Sequence, residues 1–183
     1  MKRLLTLSSL LPALIVFAAA AFAANPAASR LKQLDISAGE WVYHGHFPAT
    51  KTSPAVDWIW HENCRWSANN QFMMCSFSND WGKQHVDSLV VDTYNTHDKS
   101  FWHYEIFNSG ADTKPFAVRM QIDGNTRTET WTQTHKGKIV HERIVYKFIS
   151  DKKVEVLFQQ SQDGAHWNMT AEGSGEKVVA ARD

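Results

Sequence analysis

The sequence predicts an all-β fold, a roughly ten-stranded antiparallel up-and-down barrel behind a short N-terminal helix, on three observations. From Gly39 to about Glu172 the chain breaks into runs of six to eleven residues rich in Val, Ile, Thr, Phe, Tyr and Trp, the composition of strands. Short polar turns separate the runs, and turns this brief cannot make the crossovers that parallel pairing requires. Several runs also alternate: Ile144, Tyr146 and Phe148 interleave with Arg143 and Lys147, one side suited to an interior and the other to water. Ten antiparallel strands joined in sequence either stack as a two-sheet sandwich or curl until the first meets the last. Closure removes both exposed edges, and it is the arrangement expected here.

Taken in order, Lys2 and Arg3 precede an apolar run from Leu10 to Phe22, and Ala21-Phe22-Ala23 places small residues two apart. That is the pattern of a secretory signal peptide over residues 1–23, cleaved after Ala23. The run is short for a membrane span, so no stable membrane insertion is expected after cleavage. The short basic start and alanine-rich end point to export into a bacterial periplasm. Cleavage would leave 17 basic and 19 acidic side chains, a formal charge of −2, with no basic patch to attract nucleic acid. Residues 24–38 read as a linker and short helix: Asn25 to Ala28 is small-residue linker, and Leu31 and Leu34 share one helical face. The barrel is expected over residues 39–178, with a polar tail at 179–183.

In the first strand, an inward Trp41 carries Tyr43, Gly45 and Phe47 inward with it and leaves His44 and His46 to solvent. Two imidazoles so spaced could share a metal, but no third ligand accompanies them, and no metal site is expected. The next stretch reads as a hairpin. Trp58 to Trp66 and Phe72 to Ser78 flank Ser67-Ala68-Asn69-Asn70-Gln71, and asparagine tolerates the positive φ of tight turns. Pairing positions whose numbers sum to 139 closes a two-residue loop at Asn69-Asn70 and sets Trp66 opposite Met73, Cys64 opposite Cys75 and Glu62 opposite Phe77.

Cys64 and Cys75 are the only cysteines, and directly opposed strand residues lie within the α-carbon spacing a disulfide accepts. A bridge closing so short a loop contributes about 2–3 kcal/mol. Two buried thiols, or a redox or metal role, are the alternatives; the absence of a Cys-x-x-Cys motif argues against redox chemistry.

Further along, Asn95 to Asp98, Asp123-Gly124-Asn125, His135-Lys136-Gly137, Asp151-Lys152 and Gln162-Asp163-Gly164 are turn signals between the remaining runs. Between two of them, Thr128, Thr130, Thr132 and Thr134 form a polar β-branched face opposite Glu129, Trp131 and Gln133, and that threonine face looks like an outer wall.

Gly39-Glu40-Trp41 resembles the Gly-x-Trp signature that opens the first strand of lipocalins and their barrel relatives. With Leu31-x-x-Leu34-Asp35, Cys64-Arg65-Trp66, Phe72-Met73-Met74 and Ser161-Gln162-Asp163-Gly164-x-x-Trp167, residues 31–178 resemble an uncharacterised bacterial exported lipocalin-like, or calycin-type, β-barrel family of unknown function. The resemblance implies a closed or nearly closed ten-stranded barrel and brings no activity with it. Asn69-Asn70 stands where relatives carry an aspartate-glycine turn. No late-strand arginine is placed to cap Trp41, since Arg182 belongs to the tail.

Function is written less plainly. No nucleophile elbow, phosphate loop, zinc-protease helix or dinucleotide fingerprint is present, and these need strand-to-helix junctions that an all-strand chain lacks, so an enzyme is the less favoured class. Aromatic residues dominate instead, and rings lining a barrel interior offer large apolar surfaces with few torsions to freeze. The expected function is binding of a small hydrophobic or amphipathic molecule, with no cofactor and no covalent chemistry. Trp41, Trp58, Trp66, Phe77, Trp102 and Tyr146 are the candidate walls, with Glu62 and His103 as candidate polar contacts. Glu62 is equally explained by a salt bridge near the mouth. One alternative is a haem-binding or enzymatic barrel using an interior histidine, His103 or His141, since His103 and Glu105 share a face with Phe101 and Phe107. Another is a filled barrel acting as a protein-interaction module.

Overall fold

In a computed structural model, residues 26–107 and 115–178 are described. The expected signal peptide, the polar tail and Arg182 lie outside them. Ten strands follow a short helical segment: β1 Gly39–Phe47, β2 Val56–Trp66, β3 Met73–Trp81, β4 Gln84–Asn95, β5 Ser100–Phe107, β6 Phe116–Asp123, β7 Thr126–His135, β8 Lys138–Ser150, β9 Lys153–Ser161 and β10 Asn168–Lys177. Each pairs antiparallel with the next, and β1 pairs with β10, closing the barrel. Strands of 8 to 13 residues run longer than expected, because β3 and β4 continue to a turn at Gly82-Lys83 and β10 continues to Lys177.

The β2–β3 register is the expected one: Trp66 faces Met73, Cys64 faces Cys75 and Glu62 faces Phe77. Only the loop differs. Asn70 alone among its residues has positive φ, at 53°, and its amide donates to Ser67 O, so the chain reverses through a wider turn over Ser67 to Asn70. A two-residue type I′ loop needs two left-handed residues. Lys136 and Gly137, with φ of 50° and 79°, supply such a pair between β7 and β8.

Residues expected as linker are partly helical. Pro26–Leu31 (α1) is an α-helix, proline suiting the first turn where its missing N–H costs nothing, and Lys32–Ser37 continues as a 3-10 helix. Leu31 and Leu34, three residues apart, point the same way and are buried in the barrel end that the segment covers. There they pack with Met73, the Cys64–Cys75 disulfide, Phe101 and Met120. Full burial of Leu34 contributes about 2 kcal/mol.

A second cluster runs along β1, β2, β8 and β9: Trp41, Tyr43, Trp58, Trp60, Tyr146 and Phe148, with Val154 and Val156. Its rings fit because β10 presents almost no side chain inward. A Cβ on Gly173 would stand 2.5 Å from the Trp58 ring, and one on Gly175 would stand 2.5 Å from the Tyr43 ring. The seam that closes the barrel is therefore built from glycine on one strand and large aromatics on its neighbours. Trp41 donates its indole N–H to Ser37 O at 3.2 Å, and the late-strand cation over its ring is Lys177, 5.3 Å from the centroid, in the place where the sequence offered no arginine.

Candidate functional site

Between the helix-capped end and the opposite rim the barrel interior changes from apolar to charged and then to an aromatic-walled void. The charged layer arises because β4, β5 and β7 each turn an ionisable pair or single residue inward: Asp92 on β4, His103 and Glu105 on β5, Arg127 and Glu129 on β7. Residues two apart in a strand share a face, so Arg127, Glu129 and Trp131 line one inner stripe while the intervening threonines face outward, the outer wall expected of them.

Arg127 is the hub. Its Nε donates to Glu129 Oε1 at 2.8 Å, its Nη2 lies 2.5 Å from the same oxygen and 3.3 Å from Asp92 Oδ2, and its Nη1 donates to Ser37 Oγ at 2.9 Å. The guanidinium also sits 5.1 Å from the Tyr146 ring centroid. Burial opposes its charge, but the Asp92 and Glu129 carboxylates outweigh burial and raise its pKa well above the ordinary value. His103 Nδ1 lies 2.8 Å from Asp92 Oδ1, and since a carboxylate only accepts, this nitrogen carries a proton. Its Nε2 faces Glu105 Oε2 at 3.7 Å. Burial works against protonation of this ring too, and Glu129 and Asp92 reverse it, so the imidazole pKa is held well above the usual histidine range. Asp92 is lowered despite its own burial by Arg127 and His103.

Glu62 stands apart from the ion pairs. It accepts the Tyr43 hydroxyl at 2.7 Å deep in the barrel, not in a salt bridge at the mouth. Burial raises its pKa, only partly offset by Arg127, so the site favours its neutral acid. Glu62 and both cysteine sulfurs lie within 4.8 Å of one another, but both sulfurs are used in the disulfide and neither is a thiolate ligand.

Above this layer lies a cavity of about 440 Å³, within the range of small-molecule sites. Trp60, Phe77, Phe107, Phe116, Trp131 and Phe158 supply its rings; Glu62, His103, Glu105, Arg127, Glu129 and Tyr146 form its floor. It extends to the rim at the end away from α1, where Glu142 accepts hydrogen bonds from Gln133 at 2.5 Å and Gln160 at 2.7 Å. Asn79, a lining residue, has its Oδ1 buried with no hydrogen-bond partner, and the Trp58 and Trp60 indole N–H groups are buried in the same condition.

Of the eight residues expected to contact a ligand, Glu62, Phe77, His103 and Tyr146 line this cavity. Trp58 is one layer back, stacked on Trp60 at 4.2 Å. Trp41 is core beside Phe148, and Trp66 belongs to the capped end, donating to Asp35 Oδ1 at 2.8 Å. Trp102 is on the outer wall. Its neighbour His103 points inward, so alternation turns Trp102 out, where it stacks on Tyr104 under Arg119 and donates to Asp98 at 2.9 Å. His44 and His46 face outward as expected, and His141 lies on the outside against Gly164.

Arg127, Asp92 and Glu129 were missed as site residues, although β7 held a usable signal. Its threonine face, continued back one step, leaves Arg127 on the inner stripe with Glu129 and Trp131. No protein-family model matches the chain, and no curated protein is detectably similar to it.

Proposed function

We propose that this protein is an exported binding barrel that holds a small apolar or amphipathic molecule in the cavity between the aromatic ring wall and the charged floor. The observation that carries the reading is the cavity itself. An interior of about 440 Å³ remains although the barrel already buries Trp41, Trp58 and Trp60, so the rings of this half do not fill it. A filled interaction module would leave no such space. The floor would orient the polar end of a ligand, and the rings would take its body by area burial and offset stacking.

A haem or histidine-based enzymatic reading is weaker. His103 Nδ1 is committed to Asp92, and the carboxylates of Glu129 and Asp92 hold the ring towards its protonated form, which has no lone pair for iron or for a substrate proton.

Native mass spectrometry of the full chain, expressed with its own leader and recovered from the periplasm, tests the proposal. A mature mass beginning at Ala24, two hydrogens light for the disulfide and carrying a small-molecule adduct, is the expected result. An apo mass that also fails to take up a neutral environment-sensitive dye would overturn it.

A further inference from the structure

Resting on that reading, we infer that the ligand is a compact cationic amine with an aromatic or apolar body, its ammonium group set against Glu105 and its body held between Trp60, Phe77, Trp131 and Phe158. Unmet hydrogen-bonding capacity in the cavity favours a cation. Every nitrogen of Arg127 is already turned to a protein oxygen: Nε and Nη2 to Glu129, Nη2 to Asp92, Nη1 to Ser37. His103 is likewise committed to Asp92 on one side and faces Glu105 on the other. Arg143, at the cavity edge, lies over the Trp167 ring at 4.0 Å and donates to Gln159 at 2.6 Å. An anionic head entering this cavity would meet four acidic lining residues, Glu62, Glu105, Glu129 and Glu142, while the one lining cation without a carboxylate partner, Arg143, stands at the edge with its guanidinium over an indole ring.

Acceptors are in the opposite condition. Glu105 is the most accessible carboxylate of the floor, its side chain 14% exposed against 5% for Glu129 and 0% for Asp92. Ser88 donates to its Oε1 at 2.6 Å, and its Oε2 is 3.7 Å from His103 Nε2, too far for a good hydrogen bond. Asn79 adds a buried oxygen without any partner. Among the fully buried lining atoms the unmatched donor is the Trp60 indole N–H, too weak to draw an anion past those carboxylates. Formal charge agrees: Asp92, Glu105 and Glu129 outnumber Arg127 and a protonated His103. The surrounding rings present negative π faces, which attract a cation and repel an anion.

Titration calorimetry with phenethylamine, phenethyl alcohol and hydrocinnamate, one body with positive, neutral and negative heads, tests the charge preference on the native chain. The amine is expected to bind about tenfold or more tightly than the alcohol, with the carboxylate weakest. Glu105→Gln, which keeps an oxygen for Ser88, is expected to remove most of the amine's advantage over the alcohol. Equal binding of all three, or tightest binding of the carboxylate, overturns the amine assignment and leaves the cavity reading standing. If neither these compounds nor a neutral environment-sensitive dye binds, both fall. The charge series in the unaltered protein decides the matter even where the variant folds poorly.

Discussion

The two ends of this barrel are made from the same alternating strands yet are finished differently. At the capped end the inward positions hold Leu34, Met73, Phe101, Met120 and the disulfide, and a short helical segment seals them. Past the charged layer, inward positions hold rings around a void. Flexible aliphatic and thioether side chains interdigitate and close space, whereas rigid rings carried on walls of fixed radius meet at edges and leave space between them. The capped end should therefore carry stability and the ring-lined end recognition, and substitutions can separate the two.

The largest effect is expected at the boundary. Arg127→Met strips the partner from Asp92 and Glu129, and an uncompensated buried charge costs about 3–5 kcal/mol. Urea unfolding would register it as a loss of midpoint, and a change below 1 kcal/mol would mean that water reaches the layer and the two halves are not separated by a dry floor.

At the capped end, Leu34→Ala should cost about 2–4 kcal/mol with little change in ligand affinity. Phe77→Ala should show the reverse balance, because its ring already borders empty space: about 1–2 kcal/mol of stability and a clear loss of binding. Paired melts and dye titrations of the two variants check this. Equal stability losses would erase the distinction.

Replacing both cysteines by alanine should lower stability by about 2–3 kcal/mol through the loop of sequence separation 11 that the disulfide closes, leaving the ring-lined cavity intact. A dye titration on the reduced or substituted protein would show unchanged affinity.

The smallest effect is on pH. His103 is raised above 6.5, so the native state keeps a proton that the unfolded chain releases, and stability is full below pH 6.5 and declines as pH rises toward the folded value. Glu62, raised above 4.5, acts in the same direction from pH 4.5 upward. Asp92, lowered below 3.8, contributes stability that is lost as pH falls through its folded value. Unfolding free energy should accordingly peak in mildly acid solution and fall on the alkaline side, by at most about 1.4 kcal/mol per pH unit for each proton, and the melting temperature should follow it. Glu62→Gln should shallow the decline above pH 4.5, and an unaltered slope would place that carboxyl in contact with solvent.

Much of this was legible from the chain. Strand number, the β2–β3 register and the cysteine pairing follow from a two-residue period and a turn whose position the asparagines mark. The same period placed His44 and His46 outside and the threonines of β7 on the outer wall. What the period could not resolve was depth. Trp41, Trp58 and Trp66 all face inward, yet one lies in the seam, one behind another ring and one under the helix, because alternation names a face and says nothing of height along the barrel. Trp102 was misassigned within the period itself, since an inward His103 forces it outward.

By itself the sequence determined about ten antiparallel strands, the inward and outward faces of most of them, and the opposition of Cys64 and Cys75 across β2 and β3, all consequences of local geometry that repeats every two residues. Only the tertiary structure decided that Arg127 on β7 meets Asp92 on β4 and Ser37 before β1, and that a void remains above them. Those meetings depend on closure and on the stagger of strands far apart in the chain, where ion pairing over a few ångströms selects partners that no local pattern can name.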